Sequence, residues 1–121
     1  LLIGKNFIKE IEQDSFKILT NLVELDLKIN QIRNFNSSSS SLFNNLINLE
    51  RLFLNQNQIE VLELNTFYGL SKLNYLNLAQ NHLSSIEKNL FINLSELTVL
   101  NLNFQNFQSI EIYFKTMKKL D

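Results

Sequence analysis

The chain is predicted to be an α/β solenoid: a stack of short coils that share one parallel, concave β-sheet and return along an irregular or 3₁₀ convex side. Three observations predict it. The spacing Leu22-x-x-Leu25-x-Leu27-x-x-Asn30-x-Ile32 recurs as Leu49, Leu52, Leu54, Asn57, Ile59 and again as Leu73, Leu76, Leu78, Asn81, Leu83. A fourth copy, Leu97, Leu100, Leu102, Gln105, Phe107, carries glutamine for asparagine, and a partial copy, Leu1, Ile3, Asn6, Ile8, opens the chain. The polar marker falls at 6, 30, 57, 81 and 105, in steps of 24, 27, 24 and 24 residues, within the range of stacked repeat architectures. The second half of each repeat keeps register too. Counting from the polar marker, an apolar residue follows at +5 (Ile11, Phe35, Leu62, Ile86, Ile110), Phe at +10 (Phe16, Phe67, Phe91) and Leu at +13 (Leu19, Leu70, Leu94).

Each part of the repeat has a physical task. Alternate side chains of a strand face opposite sides, so Leu25 and Leu27 point inward and Asp26 outward. Parallel strands need a crossover return, which the second half of the repeat supplies. The turn after the strand buries backbone groups that need partners. An inward amide carries two donors and an acceptor. Asn6, Asn30, Asn57 and Asn81 are therefore expected to form a structural ladder that binds the loop backbone of their own and neighbouring coils. Gln105 has the same chemistry with one more methylene, which predicts a looser last turn. Phe16, Phe43, Phe67, Phe91 and Phe114 recur at the repeat period and predict a stacked aromatic spine beneath the convex face. Three extra residues around Ser37 to Ser41 move the second repeat's Phe to Phe43 and predict a convex bulge with a flexible, low-complexity loop. The last repeat is one residue short, placing Phe114, Met117 and Leu120 at the equivalent positions.

These motifs resemble the leucine-rich repeat family over nearly the whole chain. The layout is similar to the family's "typical" subclass, common in extracellular proteins such as Toll-like receptor ectodomains and small leucine-rich proteoglycans. The resemblance implies a leucine-rich repeat horseshoe that recognises a macromolecule on its concave face. It implies a receptor ectodomain or secreted protein, extracellular, in an innate-immune or adhesion setting. The alternative is a cytoplasmic scaffold or regulatory subunit that docks another protein, with which the lack of cysteine agrees; a third is a spacer appended to an enzyme. Residues 1–121 are expected to form a single domain. Solenoids need polar terminal caps, and the cysteine-rich caps usual in secreted members are missing from the sequence. The chain is therefore expected to be an uncapped fragment of a longer protein.

Net charge is −1 and the pI is near 5.8. That gives no electrostatic case for nucleic acid, so the expected partner is a protein or glycan and not nucleic acid. Hydrophobic residues make up 45% of the chain, yet no run approaches the roughly 18 apolar residues that span a bilayer, and this segment is not expected to insert in a membrane. His82 is the one histidine and cysteine is absent, which excludes most zinc patterns. Gly4 and Gly69 are the only glycines, too few for a phosphate-cradling loop. Glu60 and Glu63 are not marked as an acid–base pair, and no Ser or Asp completes a triad with His82. Neither an enzyme nor a cofactor is expected.

With the structural positions removed, the outward side chains of the sheet form columns: Glu24, Arg51, Tyr75, Val99; Asp26, Phe53, Asn77, Asn101; Lys28, Asn55, Ala79, Asn103; and, at the strand exit, Lys5, Ile29, Gln56, Gln80, Phe104. Phe53 is the informative member, because a strand needs no aromatic residue facing water. With Tyr75 and Arg51 it makes an aromatic–cationic patch of the composition enriched at binding hot spots. The candidate ligand-binding residues are Glu24, Asp26, Arg51, Phe53, Tyr75, Asn77 and Asn101. The competing reading is lateral packing with a Glu24–Arg51 ion pair, worth about 0–1 kcal/mol when exposed. The Asn-rich end suits a glycan or a peptide backbone. Asn36-Ser37-Ser38 and Asn93-Leu94-Ser95 match the N-glycosylation rule and make Asn36 and Asn93 candidate sugar sites.

Overall fold

The computed structural model describes residues 1–35 and 41–107. Four strands, β1 (Glu24–Asp26), β2 (Arg51–Phe53), β3 (Tyr75–Asn77) and β4 (Val99–Asn101), form one open parallel sheet in chain order. The register sets Leu25, Leu52, Leu76 and Leu100 side by side, as stacked inward rungs require. Leu2 of the opening coil bridges to Asp26 on the free side of β1. Sheet bonding runs beyond the strands: Leu27 N–H donates to Phe53 O at 2.9 Å, Ile29 N–H to Asn55 O at 3.0 Å and Gln56 N–H to Ala79 O at 2.9 Å.

A feature that the sequence did not announce lies at the strand exit. Lys5, Ile29, Gln56, Gln80 and Phe104 all adopt positive φ, between 55° and 57°. This left-handed residue swings the chain so that the next one points inward, which seats the ladder asparagine. An L-residue there costs about 1–2 kcal/mol, and a β-branched one such as Ile29 is an outlier. The repeated sheet bonds on either side hold the turn in place.

The ladder forms at Asn30, Asn57 and Asn81, whereas Asn6 is exposed and its amide donates to Ile3 O and Gly4 O of its own coil, each at 3.0 Å. Asn57 donates to Leu54 O of its own coil at 3.1 Å and to Leu27 O of the preceding coil at 3.0 Å, while its Oδ1 accepts Ile32 N–H at 3.1 Å. Asn30 and Asn81 repeat the arrangement. Gln105 departs from expectation in part. Its extra methylene still reaches the preceding coil, donating to Leu78 O and accepting Leu83 N–H. The bond to its own coil is the one it lacks among the described residues.

Each return is a series of turns whose N–H groups reach back three residues. Leu19, Leu46, Leu70 and Leu94 each donate to the spine Phe three positions earlier. That is 3₁₀ bonding without a continuous helix. Phe16, Phe43, Phe67 and Phe91 stack one above another, with centroids 6.1, 6.5 and 5.9 Å apart and planes within 19°. Phe35 meets Phe43 edge-on at 5.4 Å. All four spine rings are buried, and full burial of such a side chain contributes about 1.5–3 kcal/mol. Phe114, Ile110, Met117 and Leu120 lie outside the described residues.

Ser41, the end of the serine run, is anchored: it is buried, donates to Thr66 O at 2.7 Å and accepts Phe43 N–H at 3.3 Å, while Ser37 to Ser40, where the bulge is expected, lie outside the described residues. Those two bonds restore the register of Phe43 after the three-residue excess. Gly69 answers a close approach in the next return. Its φ is +90°, and a Cβ there would meet Asn44 O at 2.5 Å.

Candidate functional site

The outward columns lie in register across the sheet: Glu24 beside Arg51 beside Tyr75 beside Val99, and Asp26 beside Phe53 beside Asn77 beside Asn101. The expected patch is therefore brought together. Phe53 and Tyr75 contact at 5.1 Å between centroids with planes tilted by 39°. They are diagonal neighbours on adjacent strands, within reach for rings of this size. Arg51 is ion-paired with Glu24. Lys28 pairs with Asp26 at 3.0 Å and also sets its ammonium 5.8 Å from the centre of the Phe53 ring. Lys28, a third-column residue, is not among the candidates that the sequence marks, yet it joins the patch. Same-face spacing of two along an extended chain was the signal for its meeting with Asp26.

The second column has a task that spacing alone did not reveal. In three of its four positions a side-chain oxygen accepts the N–H two residues on: Asp26 from Lys28, Asn77 from Ala79 and Asn101 from Asn103, each at 3.0 Å. This local cap steadies the strand exit, a known habit of Asp and Asn. Phe53 occupies the fourth position and has no oxygen to offer. The coil of β2 thus lacks this cap, with a half-exposed ring in its place, and the opening coil lacks it too, with Leu2, 73% exposed, at the equivalent position. Separately from the cap, the Asn55 Oδ1 is a buried acceptor without a partner among the described residues.

Asp26 differs from its expected exposure. It stands in the outward column but is 7% exposed, with one oxygen on Lys28 N–H and the other on the Lys28 ammonium. Glu24 is likewise engaged by Arg51. The patch is consequently an aromatic step flanked by two neutralised cations on one side and by amides on the other. A separate recess of about 490 Å³ lies past the ladder turns, lined by Lys9, Glu10, Gln31, Arg33, Asn34 and Gln58. Its charges are mixed, and Arg33 already donates to Gln58 at 3.2 Å. Asn93 is exposed on the fourth return, whereas Asn36 lies outside the described residues. Among the described residues no cluster of metal-ligating side chains occurs, and no helix is long and apolar enough to cross a membrane.

A family model described as leucine rich repeat matches residues 34–83 and 47–107. Among solved structures, a chain in the crystal structure of a TLR13–ssRNA13 complex is similar, with a TM-score of 0.79 and 37% sequence identity. The match covers 85% of this chain and 14% of that one. No curated protein matches. The exclusion of nucleic acid drawn from charge is overturned by this comparison, since a chain of the same fold is seen in complex with single-stranded RNA. The physical reason is that net charge speaks to phosphate neutralisation averaged over the chain. Unpaired bases are recognised instead by stacking on rings and by bonding to amides, and a chain of net charge −1 can carry both.

Proposed function

Because the chain belongs to the leucine-rich repeat family, we propose that its concave face is the recognition surface of a receptor ectodomain and that the ligand is a single-stranded nucleic acid. One observation carries the reading: Phe53 stands where three other coils place a capping Asp or Asn, and it forms an aromatic step with Tyr75. A solvent-facing ring that costs the strand a cap is better explained by a ligand than by packing. Bases stack on such a step, and the neighbouring amides meet their edges. The likeness to a receptor chain complexed with single-stranded RNA supports the same ligand class. The same likeness supports an innate-immune setting. Recognition of this kind needs no catalytic group.

Arg51 and Lys28 sit close enough to the step to meet phosphates, but each is already held by a carboxylate. Binding therefore depends on salt only weakly. With no more than two cations released to phosphate, log K against log salt falls with a slope no steeper than about −1.4. The test is fluorescence anisotropy of a labelled single-stranded RNA on the full chain. Phe53→Ala and Tyr75→Ala each weaken binding by about 1–3 kcal/mol, the range for one base stacked on one ring. Affinity untouched by both changes would move the contact off this face. An ectodomain also predicts sugar on Asn93, read by mass spectrometry after expression through a secretory pathway; a bare asparagine there would count against the extracellular location.

A further inference from the structure

Tyr68 is a ring on the return side that neither the core nor the concave face uses. It follows the spine residue Phe67 directly and is 56% exposed. The equivalent positions of the other coils hold Lys17, Asn44 and Ile92, so the fold does not ask for an aromatic residue there. One position further on, the row reads Ile18, Asn45, Gly69 and Asn93. The reach of a side chain in this second row is visible at Asn45, whose Nδ2 donates to Lys17 O of the preceding coil at 3.1 Å. The same step carries the Asn93 side chain toward Tyr68. Asn93 makes no such bond: it is exposed, and its amide has no partner among the described residues. Its row neighbour Gly69 has φ +90° and no side chain, and a Cβ there would meet Asn44 O at 2.5 Å. No side chain of that row therefore stands between the Asn93 amide and the Tyr68 ring.

We infer that the first sugar on Asn93 docks on the Tyr68 ring, so that the modification clamps two successive coils together. The inference rests on the extracellular reading above and goes beyond it. An asparagine-linked glycan begins with an N-acetylglucosamine joined to Nδ2 of the Asn-x-Ser motif. One face of its pyranose ring is made of C–H groups, while its hydroxyls lie around the edge. The C–H face covers an aromatic ring and removes apolar surface from water. The negative face of the aromatic ring also attracts the polarised C–H groups. The hydroxyls stay in solvent. The spine sets these two coils 5.9 Å apart, the centroid separation of Phe67 and Phe91, a step that one sugar attached at Asn93 spans. Tyr68 stands on a fixed base, because its N–H donates to Asn65 O at 3.0 Å within the turn. Val61 and Leu64, exposed earlier in the same coil, have no flat face to offer. A protein seated on those two and Tyr68 is the competing occupant, and it predicts no dependence on the sugar.

The test is a double-mutant cycle on the full chain expressed through a secretory pathway, with the Asn93 sugar identified by mass spectrometry. Melting temperatures are compared for the parent, Tyr68→Ala, Asn93→Gln and the double variant, with Asn36 the same in all four. In the sugar-bearing chain Tyr68→Ala lowers the melting temperature by about 3–6 °C, the shift of one aromatic contact in a chain of this size. In the Asn93→Gln background the same change shifts it by no more than about 2 °C, as for an ordinary surface substitution. That non-additivity is the signature of a contact. Tyr68→Phe keeps the parent's stability, because the ring and not the hydroxyl is covered. Ser95→Ala removes the motif, leaves Asn93 in place and behaves as Asn93→Gln does. Trimming the glycan enzymatically to its first sugar changes nothing. NMR supplies a readout that protein packing does not move: the ring current of Tyr68 shifts the first sugar's protons upfield, and Tyr68→Ala returns them. Equal effects of Tyr68→Ala with and without the sugar, or none in either background, overturn the inference, while a sugar found on Asn93 leaves the extracellular reading standing. A bare Asn93 fails that reading and takes the inference with it.

Discussion

Two sets of aromatic rings lie on opposite sides of the inward leucines, and they obey different rules. The spine of Phe16, Phe43, Phe67 and Phe91 repeats in four successive coils, is buried, and stacks at nearly constant spacing. The pair of Phe53 and Tyr75 occurs once, faces outward, and interrupts a row of capping side chains. Ring contact distances are similar in the two sets, so contact alone does not separate packing from recognition. Recurrence does. A residue demanded by the fold is demanded in every coil, because each coil meets the same neighbours. A residue present in one coil, at a local structural cost, answers to something outside the fold.

The contrast can be broken most forcefully in the spine. Phe67→Ala is expected to lose about 3–5 kcal/mol, because the ring packs on both Phe43 and Phe91. Chemical denaturation would report it, and a loss below about 1 kcal/mol would remove the spine from the structural side of the contrast. Next comes Asn57→Ala. It removes one of two amide donors from Leu27 O and from Leu54 O, which keep Asn30 and Asn81, and takes the acceptor from the buried Ile32 N–H, for a loss of about 1–3 kcal/mol; an unchanged denaturation midpoint would remove the ladder amide from the structural side. The smallest effect has the opposite sign. Ile29→Asn should raise stability by about 1 kcal/mol, since asparagine tolerates the left-handed conformation that isoleucine resists. Ile29 is 37% exposed, so little packing is lost. A fall in melting temperature would show that the Ile29 side chain contributes more than its backbone strain costs.

Those differences also mark what was legible in advance. Inward leucines, ladder amides and spine rings were readable because recurrence repeats the same evidence coil after coil. The outward columns were readable as positions, since strand alternation fixes which residues share a face. Their chemistry was not. The left-handed exit residues are Lys, Ile, Gln, Gln and Phe, a set in which side-chain preference gives no hint of a common backbone. Asp26 looked like a free surface carboxylate because spacing does not say that Lys28 folds back over it. The orientation of Asn77 and Asn101 depends on which amide end meets a backbone N–H two residues away, which only coordinates reveal. The partner class was misread for a related reason. Charge is a property of composition, while a ring and two oriented amides are properties of arrangement.

The most direct test of the division between packing and recognition is a single substitution read two ways. Phe53→Asn gives the coil of β2 the cap that Asp26, Asn77 and Asn101 supply in three others, and it removes the stacking surface. The expected result is a melting temperature equal to or above that of the parent, together with single-stranded RNA affinity lowered by about 1–3 kcal/mol. A variant that melts several degrees lower while binding RNA as well as the parent would make Phe53 a packing residue and contradict the assignment of this face.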